Sequence, residues 1–100
     1  MSDPKTTPWG TPVERERWRR IRVSIAAYAY EVRNHSIMDD ASYDELAYSL
    51  NPRMVTGHTL DQFFARHFDP STGMWINQHP EIDRIAAIYE RHYGKSTDVQ

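Results

Sequence analysis

"YAYEVRNHSIMDDASYDEL", residues Tyr28 to Leu46, sets two tyrosines, a polar turn, two adjacent aspartates and a second Tyr-Asp pair within nineteen positions, and its reading decides the fold. The flanking sequence supports two helices meeting at a turn. Ahead of the stretch, Trp18, Ile21, Ile25, Tyr28, Ala29 and Val32 recur at spacings of three and four, the repeat that stacks side chains on one helical face. The start of that helix is well specified in "TPVE". Thr11 can cap it, Pro12 suits the first helical position because an N–H there would lack a helical partner anyway, and Glu14 completes a capping box. "RNHS" is its end. Beyond the turn, Asp39 or Asp40 supplies a cap or a first-turn acid, and Tyr43, Leu46, Ala47 and Leu50 form a buried stripe. Pro52 stops this second helix, because the residue before a proline disfavours helical geometry.

Further along, "GHTLDQFFARHF" offers Thr59 and Gln62 as another capping box, with Leu60, Phe63, Phe64 and Phe68 as the apolar positions of a shorter third helix. The loop "DPSTGMWINQH" has room for an extended piece around Met74 to Ile76. Pro80 then opens a last helix through Ile82, Ile85, Ala86 and Tyr89, with Gly94 as its stop. The expectation is an all-α, four-helix single domain over residues 11–94, with a flexible arm at 1–10 and a loose tail at 95–100. Its core should draw on Ile21, Ile25, Val32, Leu46, Leu50, Phe64, Ile82, Ile85 and Tyr89.

Composition narrows the function classes. One hundred residues, 39% hydrophobic and 12% aromatic, suffice for one core and are too few for two. A net charge of −2 and a pI near 6.2 exert no overall pull toward nucleic acid or an anionic membrane, so such binding needs a local patch. The absence of cysteine removes disulfides and thiolate chemistry. No run approaches the roughly 18 to 20 apolar residues that span a bilayer, and "MSDPKTTPWGTP" lacks a signal peptide's apolar core. A soluble cytoplasmic protein without membrane association is expected. His35, His58, His67, His79 and His92 show no His-x-x-x-His or comparable spacing, so no metal site is expected. There is no nucleophile elbow and no glycine-rich phosphate loop, and no catalytic residue is assigned.

The order Tyr-x-Tyr, turn, Asp-Ala-x-Tyr-Asp-x-Leu over about residues 21–50 resembles the small N-terminal helical domain, domain Ia, of bacterial NAD-dependent DNA ligases. In that family the domain grips the nicotinamide mononucleotide (NMN) half of NAD with a Tyr-His pair on its first helix and an Asp, a Tyr and an Asp at the start of the second. The resemblance places the first-helix tyrosine on Tyr30, the aspartates on Asp40 and Asp44, and the second tyrosine on Tyr43, with the family's ten-residue step from Tyr30 to Asp40 retained. The histidine position holds Glu31, a carboxylate in place of a ring. "HPEI" at His79 lies too far downstream to align with a ligase His-Pro-Glu. No adenylation domain or Lys-x-Asp-Gly motif is present, and the two lysines, Lys5 and Lys95, fall in the expected tails. The resemblance therefore implies a non-catalytic module that binds NMN or NAD, weakly unless a partner or second copy closes the site.

Chemically the same residues suit a nucleotide. Tyr30 and Tyr43 can stack on a pyridinium ring, and Asp40 and Asp44, four apart on one helical face, can accept hydrogen bonds from ribose hydroxyls. The plainer alternative is that the tyrosines pack and the aspartates cap. Two further functions stand beside nucleotide binding. One is an interaction protein of the bacteriophage or mobile-element kind, docking on a host protein of nucleic-acid metabolism, with Trp75 in its loop as an interface candidate. The other is an accessory nucleic-acid binder using Arg15, Arg19 and Arg22, a basic ridge around Trp18. Against the ridge stands a solvated helix face in which Glu16 pairs with Arg20.

Overall fold

The computed structural model describes residues 10–94, so the expected tail at 95–100 and all of the arm but Gly10 lie outside the described residues. Its elements are α1 (Pro12–Glu31), α2 (Asp40–Ser49), α3 (Asp61–His67), a 3₁₀ helix (Met74–Gln78), α4 (Ile82–Tyr89) and a π-helical turn (Glu90–Gly94). The described residues are all-helical, as the periodicity predicts. The capping box of α1 forms as read: the Thr11 hydroxyl accepts from Glu14 N–H at 3.2 Å and Glu14 accepts from Thr11 N–H at 3.0 Å. Asp39 caps α2 by accepting from Ser42 N–H at 2.8 Å, and this bond draws its carboxyl below the usual range.

The buried face of α1 is not the expected one. Ile21 and Val32 are 47% and 45% exposed, and Trp18 also faces outward beneath the Arg22 guanidinium, 4.9 Å from its ring. The inward face carries Glu16, Arg20, Val23, Ser24, Ala27 and Tyr28. Two charges hold it there. Glu16, at 0% exposure, accepts from Arg20 Nε, Arg19 and the Asn51 N–H, all at 2.9 Å. Arg20 also donates to Asp61 at 2.9 Å and to the carbonyls of Asn51 and Met54 at 2.8 and 3.1 Å, and covers the Phe64 ring. A buried ion pair held by several further hydrogen bonds can occupy a helix's inner stripe, and a count of apolar residues does not register it. The expected Glu16–Arg20 pair exists, but inside the protein rather than on a solvated face.

The same network starts α3 without the expected Thr59–Gln62 capping box. Leu60 occupies the cap position with no side-chain bond, and its N–H goes to His58 Nδ1 at 3.0 Å. Asp61 instead gathers the preceding turn, accepting from Thr56 and Gly57 N–H at 2.8 and 3.0 Å and from the Thr56 hydroxyl. Gly57 sits at φ 82°, where a side chain would be strained. Burial opposes the Asp61 charge, but these donors and Arg20 outweigh it and hold the carboxyl at about 2.

The core joins Val23, Ala27, Tyr28 and Ala29 of α1 to Ala47 and Leu50, Phe63 and Phe64, Trp75 and Ile76, and Ile85 and Tyr89. Ile25, Leu46 and Ile82 contribute from its edge. Met74 to Ile76 is not extended: the 3₁₀ turn carries Trp75 to 5% exposure, against Phe68 at 5.0 Å, Phe64 at 5.8 Å and Phe63 at 6.2 Å between ring centroids. The expectation of Trp75 as a surface interface residue is corrected accordingly, because burying an indole among three rings recovers more free energy than exposing it.

Candidate functional site

The helix-turn-helix of residues 28–46 builds the site. After α1, Asn34 takes the left-handed conformation (φ 54°), which asparagine tolerates, and His35 N–H returns to the Ala29 carbonyl at 2.8 Å. His35 Nδ1 lies 2.7 Å from the Tyr89 hydroxyl, which ties the turn to α4. Ser36 to Met38 then cross to the Asp39 cap, so that the first turns of α2 face the last turn of α1.

Between them lies a cavity of about 270 Å³, and Tyr30, Asp40, Tyr43 and Asp44 all line it. Its floor is Ala26 and Ala27, and its far wall is Ser71, Thr72 and Gly73 from the loop before the 3₁₀ helix. Tyr30 is 59% exposed at the mouth, whereas Tyr43 is half-buried and donates its hydroxyl to the Thr72 carbonyl at 3.3 Å. Burial pushes the Tyr43 phenol above its ordinary value; the Trp75 indole opposes this, and the charges of Glu31, Asp44 and Asp69 add to the rise. The Trp75 Nε1 is buried nearby without reaching hydrogen-bond geometry. Neither Tyr30 nor Tyr43 stacks on another ring among the described residues; Tyr30 is open to solvent, whereas Tyr43 also packs against the core.

The loop wall is built locally. Asp69 accepts from Ser71 N–H at 3.0 Å and from its hydroxyl at 2.7 Å, and Thr72 N–H returns to the Asp69 carbonyl at 3.2 Å. Gly73 stands against Glu31: a Cβ there would lie 3.3 Å from Glu31 Oε2 and 3.5 Å from the Ala27 Cβ. Sequence reasoning left Glu31 out of the candidate site residues, yet that residue lines the cavity next to Tyr30. It also missed Ser71 to Gly73, some thirty residues away, for which no local signal exists.

The arginine ridge is differently disposed. Arg15 donates to the Gly10 carbonyl at 3.2 Å, Arg19 pairs with Glu16 and Arg22 rests on Trp18, so each guanidinium has an intramolecular partner. A second cavity of about 140 Å³, between α1 and α4, is walled by Ile21, Leu60, Phe64, Ile85 and Ile88. Arg17 at its rim donates to the Thr56 carbonyl, and Arg84 pairs with Glu81. Among the described residues no group of three or more acids and histidines is arranged to hold a metal ion, and no helix is long and apolar enough to cross a membrane. Compared with protein families, curated proteins and solved structures, the chain matches none.

Proposed function

We propose that the protein is a non-catalytic module that binds a nicotinamide nucleotide, NMN or NAD, in the cavity between α1 and α2. The observation that carries this reading is the convergence of Tyr30, Asp40, Tyr43 and Asp44 on that one cavity. A ring and a ribose can be gripped together only from one side; Asp40, Tyr43 and Asp44 share one face of α2, and Tyr30 meets them from α1. At about 270 Å³ the space falls just below the roughly 300 Å³ at which drug-sized sites begin. It suits a pyridine ring with its sugar, and the rest of a dinucleotide would lie outside.

Calorimetry with NMN tests the reading. Binding at millimolar concentration is expected, lost in Tyr43→Ala with the circular dichroism spectrum retained, and weakened by about 1.5 to 3 kcal/mol in Asp40→Asn if that carboxylate takes a charge-assisted bond. Absence of binding by the unmutated protein would leave the cavity as packing architecture. A second reading, docking on a protein partner, draws on the exposed Ile21 beside the apolar cavity between α1 and α4. Under it, Ile21→Glu would abolish capture of a partner from a bacterial lysate and leave nucleotide binding unchanged.

A further inference from the structure

The cavity between α1 and α2 is electrostatically one-sided. Glu31, Asp40 and Asp44 line it, and no arginine, lysine or histidine among the described residues does. None of the three carboxylates is ion-paired to a cation among the described residues, in contrast to Glu16, Asp61, Glu81 and Glu90. The rings of Tyr30 and Tyr43 line the same cavity, and an aromatic face carries the negative side of the ring quadrupole. Gly73 keeps room for the Glu31 carboxylate against the loop wall. Serine and threonine at the far side add hydroxyls and backbone groups without charge.

These walls attract a positive ring and repel a phosphate. We infer that the cavity selects its ligand by charge: it favours a planar aromatic cation carrying hydroxyls and keeps any phosphate of that ligand outside, at a cost in affinity. This rests on the nicotinamide reading and sharpens it, because within that series three ligands differ in one property each. Oxidised nicotinamide riboside presents a pyridinium and a ribose. The mononucleotide adds a phosphate, which must lie near three carboxylates or project out of the mouth. Reduced nicotinamide riboside keeps the shape closely but has a neutral dihydropyridine ring, which forfeits the cation–π and carboxylate attraction. The preference therefore runs oxidised riboside, then mononucleotide, with the reduced riboside last.

The test is calorimetry of the intact protein with these three probes and neutral nicotinamide, at low and at physiological salt. The oxidised riboside should bind about tenfold tighter than the mononucleotide at low salt, with the ratio shrinking as salt screens the carboxylates over roughly 8 to 10 Å. The reduced riboside should bind at least about tenfold more weakly than the oxidised one. Glu31→Gln should cut the riboside-to-mononucleotide ratio about twofold, since it removes one of the three charges that together give the tenfold preference. Equal or tighter binding of the mononucleotide, or equal binding of the reduced riboside, overturns charge selection and leaves the nucleotide reading standing. Binding of none of the probes removes both.

Discussion

Replacing Glu16 by glutamine removes one charge from a fully buried network with almost no change in shape. The glutamine oxygen can keep the two bonds now made to Oε2, from Arg20 Nε and from Asn51 N–H, but its amide nitrogen then faces Arg19, donor against donor. Arg19 is partly exposed and can turn away. Arg20 cannot: it stays buried, with Asp61 at 2.9 Å as its one remaining carboxylate and two carbonyls at 2.8 and 3.1 Å. Breaking a buried pair outright costs about 3 to 5 kcal/mol; with Asp61 still compensating, about 2 to 3 kcal/mol is expected here. For a domain of this size that corresponds to a fall in Tm of roughly 8 to 20 °C. Urea unfolding followed by circular dichroism measures it, with an unchanged m-value showing that the two end states are the same. Arg19→Ala is the control and should cost less than about 1 kcal/mol, because that pair is partly solvated. A loss below about 1 kcal/mol for Glu16→Gln would refute the argument that buried charge fixes the inner face of α1.

Three other outcomes follow from the packing and the titrating groups. Trp75→Ala should destabilise by about 3 to 5 kcal/mol, since the indole is enclosed by Phe63, Phe64 and Phe68; a surface tryptophan would leave the urea midpoint nearly unchanged. Asp39→Ala should cost about 1 kcal/mol through loss of the bond from Ser42 N–H, read as a lower midpoint at constant m. His79 is buried with Nδ1 accepting from Glu81 N–H, and burial lowers its pKa below 6.5. The unfolded chain therefore binds a proton that the folded one refuses, so this contribution is fully present above pH 6.5 and is lost as pH falls through the folded value. His79→Asn, which keeps an acceptor for the same N–H, should flatten the stability–pH curve just below pH 6.5; an unchanged slope would show that another group carries it.

Local chemistry was legible where it acts alone. The Thr11 cap, Pro12 and Glu14 start α1 as read, and Asp39 caps α2. Tertiary competition defeated the rest. Asp61 was not recognised because its partners, Thr56, Gly57 and Arg20, come together only in the folded chain, and Glu16 and Arg20 look like surface residues until Asn51, Met54 and Asp61 close over them. Their burial rotates α1 so that Trp18, Ile21 and Val32 face outward. Within the site, Tyr30, Asp40, Tyr43 and Asp44 were singled out through the resemblance to ligase domain Ia, whereas Thr72 and Gly73 reach the cavity only because Trp75 is drawn into the aromatic cluster just beyond them.

Whether this cavity holds a ligand is read residue by residue in a ¹⁵N chemical-shift titration with oxidised nicotinamide riboside. Saturable shifts are expected at Glu31, Asp40, Asp44, Thr72 and Gly73, which line the cavity, with Ile21 and Ile88 on the second cavity unmoved. Shifts centred on Ile21 and Ile88, or none at millimolar ligand, would contradict binding in this cavity.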